Sequence, residues 1–183
     1  MDGQLGAQLI TAGSTLSGVV LTLLATAFLD RRRAADGRAL EAMKLRADQS
    51  RWLRDERRRA YSALSAAGEE ALQFLRNRAV VLIDDRSERP GLEGEWAAIR
   101  TDLRKAFNQV ELLGTGTVRM AALTMWRAAR DGGNDFFASL DGEPGPPCEE
   151  RREWLRATRS EMGTLGDTYL KACRDDLQAG TSD

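Results

Sequence analysis

The chain has 183 residues, of which 42% are hydrophobic and 30% charged, and its formal net charge is −1. It contains no histidine, which excludes an imidazole base, a Ser-His or Cys-His nucleophile and histidine-containing zinc or di-iron sites. Cys148 and Cys173 are too few for a disulfide framework. A Ser-Lys or all-carboxylate enzyme stays open on composition alone, but we predict no catalysis, cofactor or metal.

An uncharged apolar segment, Leu5–Leu29, stands near the amino terminus. At about 1.5 Å per residue it makes a helix of roughly 37 Å, longer than a bilayer core of about 30 Å. We therefore predict that residues 1–30 form a single transmembrane anchor. Because basic residues follow it, the amino terminus is expected outside and the rest of the chain in the cytoplasm. The nearest of these are Arg31, Arg32, Arg33 and Arg38.

Two other interpretations of the segment stay open. A cleavable signal peptide would use the small residues Ala25 and Ala27, although the basic region before it is missing. A buried helix of a soluble bundle would account for the many small and hydroxylated residues. Within an anchor, the four-residue spacings of Gly13 with Ser17 and Ser14 with Gly18 predict a face for homodimer formation.

The segment after the anchor is basic. Residues 31–59 contain eleven basic and five acidic side chains, so we predict that residues 31–52 form a juxtamembrane stalk whose basic collar attracts anionic lipid headgroups. Nucleic acid is the alternative ligand for the arginines between positions 51 and 59. We rank it lower because Asp48, Asp55 and Glu56 interrupt this cluster and can pair along the same helix.

Apolar residues at helical spacing continue through residues 53–183 and predict an all-α fold. The clearest seam is Leu92, Trp96, Ile99, Leu103, Phe107, Val110 and Leu113. The expected helices are 53–83, 92–113, 117–130 and 148–178. Four amphipathic helices joined by short loops predict an antiparallel four-helix bundle below the membrane.

The predicted loops carry glycine. Gly114 is expected to form a left-handed helix cap, with Thr115 or Thr117 capping the next helix. Gly132 and Gly133 are expected to end the third helix. Phe136 and Phe137 would then lie in a linker, where they either cover one end of the bundle or form an exposed docking patch. Cys173 is expected to be a small core residue.

The segment Trp52–Leu64, with the sequence WLRDERRRAYSAL, resembles a group of small actinobacterial membrane-anchored helical proteins. These join a membrane helix to a Trp, a Glu-Arg-Arg run and a Tyr before an aliphatic helix. The turn at Leu112–Gly114, followed by Val118 and Arg119, is similar too. The resemblance covers Leu5–Arg130 and implies a bacterial inner-membrane protein, without an activity, a cofactor or site residues.

The leading functional hypothesis is a membrane-tethered bundle that binds another protein as a scaffold or regulator. The second is a sensor that holds a small ligand between its helices, in a cavity near Trp96, Trp126 and Trp154. The third is a basic collar that binds anionic lipid or nucleic acid.

Overall fold

A computed structural model describes the backbone of residues 2–141 and 148–179, and their side chains other than those of residues 2–25, 27, 34 and 35. All regular structure in these ranges is helical, as the sequence predicts. The helices are α1 (Asp2–Gln73), α2 (Val81–Asp84), α3 (Arg89–Leu113), α4 (Gly116–Ser139) and α5 (Cys148–Ala179), and a π-helical segment, Phe74–Arg78, lies between α1 and α2.

The chain divides into two units, residues 1–51 and 52–183. In the first, every described side chain is exposed. Ion pairs of 3.9 Å join Arg33 to Asp30 and Arg51 to Asp48, one helical turn apart. Among the described residues, no helix is long and apolar enough to cross a membrane. Almost all of the predicted anchor lies outside the described side chains, including the predicted dimer face of Gly13, Ser14, Ser17 and Gly18.

The second unit is an antiparallel four-helix bundle formed by α1 from Trp52 onward, α3, α4 and α5. Along α1 and the π-helical segment that follows it, residues of increasing number meet residues of decreasing number on α3. Arg57 Nε donates to the Leu113 carbonyl at 2.8 Å, and the Phe74 ring lies 5.4 Å from Trp96. The other neighbours run in the same opposed sense, with ring contacts Phe107–Trp126 and Phe136–Trp154 and hydrogen bonds Tyr169–Tyr61 and Arg152–Asp84.

The predicted apolar seams form the core. On α3, every seam residue from Leu92 to Val110 is buried, while Leu113 is partly buried. On α5, Cys173 is buried as predicted, and Met162 and Tyr169 are buried with it. The sequence did not predict the burial of Leu155 or of the charged Arg151, which are 0% and 6% exposed.

The predicted end of the third helix at Arg130 is wrong, because α4 continues through Gly132 and Gly133 to Ser139. A Cβ atom at Gly133 would overlap the Trp96 indole, and one at Gly132 would lie 2.6 Å from Thr158 Cγ2. These glycines therefore permit close helix packing inside a continuous helix.

This extension also corrects the docking-patch prediction for Phe136 and Phe137. Both residues lie on α4 and are only 0% and 8% exposed. Phe136 contacts the ring of Trp154, and Phe137 contacts the ring of Phe74. They cover the core and are not available to a partner.

The turn between α3 and α4 also differs from its prediction. Gly114 is extended, with φ −77° and ψ 156°, so it does not form a left-handed cap. Thr115 is extended too and makes no side-chain cap hydrogen bond. The Leu113 carbonyl at this helix end is instead satisfied by Arg57 of α1.

Candidate functional site

The basic collar lies in the first unit. Arg31, Arg32, Arg33 and Arg38 are all exposed, and Arg33 lies 3.9 Å from Asp30. Exposed arginines are accessible to an anionic surface of any kind, and their exposure does not distinguish lipid from other anions. Lipid binding by the collar therefore stays a prediction.

In the described part of the chain, the three tryptophans named for the predicted ligand cavity do not line a common cleft. Trp96, Trp126 and Trp154 line three different surface clefts, of about 310, 590 and 420 Å³ respectively. The Trp96 indole donates to Asn134 Oδ1 at 3.2 Å and fills the space above Gly133. Among the described side chains, no three acidic or cysteine residues come together where a metal ion could be held.

A groove lies between α1 and α5 and is called here the α1–α5 groove. It consists of two adjoining cavities of about 200 and 480 Å³, which share Ser65, Glu69 and Leu170. Gly68 and Leu72 extend it along α1, and Gly163 and Gly166 border it on α5.

On the α5 side of this groove, two of the bordering residues, Gly163 and Gly166, have no side chain. A Cβ atom at Gly163 or Gly166 would meet nothing within 4 Å. Each glycine inside a helix costs roughly 0.5–1 kcal/mol relative to alanine. On the α1 side, Ser62, Ser65 and Ala66 are also small. At Gly163 and Gly166, no described atom occupies the space that a side chain would fill.

Charges are separated along the α1–α5 groove. Arg58 and Arg174 lie towards one end, and Glu69 and Asp167 lie further along the two helices. Because α1 and α5 are antiparallel, the arginines of both helices come to the same end. The groove is therefore basic at one end and acidic towards the other.

A polar network joins α1 to α5 at the basic end. Tyr61 donates its hydroxyl proton to Asp176 Oδ2 at 2.8 Å, and an Arg57 guanidinium nitrogen lies 3.7 Å from the same oxygen. The Asp176 side chain is only 9% exposed. Arg57 also bonds the Leu113 carbonyl, so this one arginine links α1, α3 and α5.

Two neighbouring groups complete the junction. Tyr169, which is 0% exposed, donates to the Tyr61 carbonyl at 3.2 Å. Burial raises the pKa of Tyr169, and burial with the Asp176 carboxylate raises the pKa of Tyr61. Burial also raises the pKa of the Cys173 thiol to about 11. All three groups are protonated at neutral pH, so the junction holds helices together and supplies no nucleophile.

Sequence reasoning did not identify this groove. Gly163 and Gly166 lie one turn apart on α5, and that spacing was the available signal. In the sequence, Tyr61 stands out only as the tyrosine of the Trp52–Leu64 segment. Its partner Asp176 lies 115 residues away in the sequence, and no local pattern connects them. The pairing that the sequence allows for Glu56 along its own helix is present, with Arg59 Nη1 2.7 Å from Glu56 Oε1.

Comparison with known proteins finds no family whose model matches the chain, no similar curated protein and no similar solved structure.

Proposed function

We propose that this chain is a membrane-tethered helical bundle that acts by binding another protein, and that the α1–α5 groove receives an amphipathic helix of that partner. The observation that carries the proposal is the open glycine wall of α5 at Gly163 and Gly166. Glycine there lowers helix stability without relieving any close contact with a described residue. Such a loss is compatible with a surface kept low for the approach of another backbone.

The dimensions of the groove suit a helix. From Arg58 to Leu72 its α1 wall is about 21 Å long at about 1.5 Å per residue, which matches four turns of a partner helix. Binding an amphipathic helix in a groove uses apolar anchors on one face. The charges also favour an orientation: acidic residues of the partner would lie near Arg58 and Arg174, and basic residues near Glu69 and Asp167.

The membrane tether rests on the sequence. The uncharged segment Leu5–Leu29, followed directly by basic residues, supports an anchor with the amino terminus outside and the bundle in the cytoplasm of a bacterial cell. Homodimer formation through Gly13 and Gly18 is a further part of this proposal. Carbonate washing of isolated membranes tests the tether, since an anchored chain stays in the pellet and a peripheral chain is released.

Groove-filling substitutions test partner binding. Gln in place of Gly163 and Gly166 adds a long uncharged side chain into open space and favours the helix. Gly94→Gln is the matched control, because Gly94 lies on α3 and its Cβ position is also open. Proteins cross-linked to each variant in native membranes are compared by quantitative mass spectrometry.

We expect one or more proteins to be enriched by the wild type and by Gly94→Gln, and to fall by about tenfold or more with Gly163→Gln/Gly166→Gln, the loss expected when 1.4 kcal/mol of binding is removed. Identical profiles for the groove variant and the control would contradict binding in the groove. Thermal unfolding of all three proteins verifies that they are folded.

Nucleic acid binding by the cluster between positions 51 and 59 is less well supported. Arg57 is engaged with Asp176 and the Leu113 carbonyl, and Arg59 is paired with Glu56. An arginine that already neutralises a carboxylate has less charge to offer a phosphate backbone.

A further inference from the structure

A second surface feature lies between α3 and α4, on different residues from those of the α1–α5 groove. It is an open cleft of about 590 Å³, called here the Trp126 cleft. Its lining combines three arginines with two stacked aromatic rings and two carboxylates. These are Arg104, Arg127, Arg130, Phe107, Trp126, Glu111 and Asp131.

Trp126 has an unsatisfied polar group. The residue is 7% exposed, and no described residue accepts a hydrogen bond from its buried indole Nε1–H. A buried donor without an acceptor lowers stability, so nearly all such groups in folded proteins are paired. The indole N–H of Trp126 is therefore a buried donor that a bound ligand could pair.

The charges beside this donor are positive. The guanidinium carbons of Arg104 and Arg130 lie 4.8 and 4.5 Å from the centroid of the Trp126 ring. Arg130 is paired with Asp131 at 2.7 Å. Within the described part of the chain, Arg104 and Arg127 are exposed and make no ion pair with a carboxylate. Arginines outnumber carboxylates in the cleft, and two of them carry a charge that no carboxylate of the described residues neutralises.

We propose that the Trp126 cleft binds a phosphate group, with Arg104 and Arg127 contacting its oxygens and the indole N–H of Trp126 donating to it. Guanidinium groups match the geometry of phosphate oxygens and form strong charge-assisted hydrogen bonds. Arg104 is exposed, so its guanidinium can turn from the face of the indole towards a bound anion. The group can belong to free phosphate or to a phospholipid headgroup, since both present the same oxygens.

The aromatic rings of the cleft argue against a nucleic acid base as the occupant. Trp126 and Phe107 stack on each other, with centroids 5.0 Å apart and an interplanar angle of 16°. The two arginines occupy further space over the indole. Base recognition by stacking needs an open ring face, whereas phosphate recognition needs only the charges and the donor.

The test follows the indole ¹H–¹⁵N resonance of Trp126 in the full-length chain, held in a maltoside detergent that carries no phosphate. Trp126→Phe assigns the resonance. Inorganic phosphate is titrated at constant ionic strength against chloride, and short-chain phosphatidylglycerol is titrated against phosphatidylcholine. The site variant is Arg104→Gln/Arg127→Gln, and the matched control is Arg156→Gln, an exposed arginine of α5.

We expect a saturable shift of this resonance with phosphate, with an apparent Kd weakened by about tenfold or more in the site variant and unchanged in Arg156→Gln. A shift produced by phosphatidylglycerol but not by free phosphate supports the proposal and identifies a headgroup as the source. No shift with either compound, an equal shift with chloride, or equal affinities for the site variant and the control would overturn it. Matching thermal unfolding of the variants excludes misfolding as the cause of a loss.

Discussion

Two pairs of glycines in the bundle have opposite surroundings. Gly132 and Gly133 lie in the middle of α4, where Thr158 and Trp96 occupy the space that their side chains would need. Gly163 and Gly166 lie in the middle of α5, where nothing described stands within 4 Å of a Cβ atom. The first pair is required by packing inside the chain. The second pair has no such requirement, and this is why we connect it with an external partner.

The two sides of the bundle are also held together by different forces. Around Gly133, rings dominate: Phe74 lies 5.4 Å from Trp96 and 6.2 Å from Phe137. Beside the α1–α5 groove, the helices are joined at the basic end by the hydrogen bond from Tyr61 to Asp176 and the bond from Tyr169 to the Tyr61 carbonyl. Glycine inside a helix can therefore permit a close contact, as in α4, or leave a surface open, as in α5.

The largest effect is expected at the closed pair. Gly133→Ala places a methyl group into the Trp96 indole, which must then leave its position against Phe74. We expect a loss of about 3 kcal/mol in the free energy of unfolding, since overpacking a dense core typically costs 1–3 kcal/mol and sometimes more. Urea denaturation followed by tryptophan fluorescence measures it. A variant as stable as the wild type would remove the distinction between the two pairs.

Alkaline pH should lower the free energy of unfolding through the ionisable groups of the polar junction. The Cys173 thiol has an ordinary pKa of 9.0 and a raised pKa of about 11 in the fold, so the unfolded chain releases this proton first. Stability is therefore complete below pH 9 and falls as pH rises towards 11, by roughly 2 kcal/mol. The raised pKa values of Tyr61 and Tyr169 add a loss in the same direction above pH 10, their ordinary value.

Unfolding midpoints at pH 8, 9, 10 and 11 provide the measurement. Cys173→Ala should reduce the slope between pH 9 and 11, while Cys148→Ala, which removes the exposed thiol, should leave it unchanged. Equal slopes for the two variants would show that the thiol of the junction does not control the response.

The sequence predicted helices well where one apolar period continued without interruption. The seam of α3 from Leu92 to Val110 is entirely buried because its spacing matches the helical repeat. Prediction failed at Gly132 and Gly133, where weak local helix propensity is overridden by the contacts with Thr158 and Trp96. At the start of α5, Leu155 is fully buried whereas its larger neighbour Trp154 is only partly buried, an order that residue size alone does not predict.

The candidate sites were harder to foresee for a physical reason. A groove forms where side chains are small and no other helix covers them. The sequence of α5 does not show whether another helix fills the space beside Gly163 and Gly166. The unpaired indole of Trp126 depends on the positions of Arg104 and Phe107, which come from a different helix. The buried Arg151 likewise could not be distinguished from the exposed Arg152 by residue type.

The smallest effect, and one of opposite sign, is expected at the open pair. Gly163→Ala and Gly166→Ala each add a methyl group that contacts nothing within 4 Å and reduce the flexibility of the unfolded chain, so each should raise the free energy of unfolding by about 0.5–1 kcal/mol. Gly94→Ala on α3 should give a similar gain, because its Cβ position is equally open. The same urea titrations measure all three variants. A loss of stability at Gly163 or Gly166, with a gain at Gly94, would mean that contacts within the chain close the groove in solution and leave no open surface for an external helix.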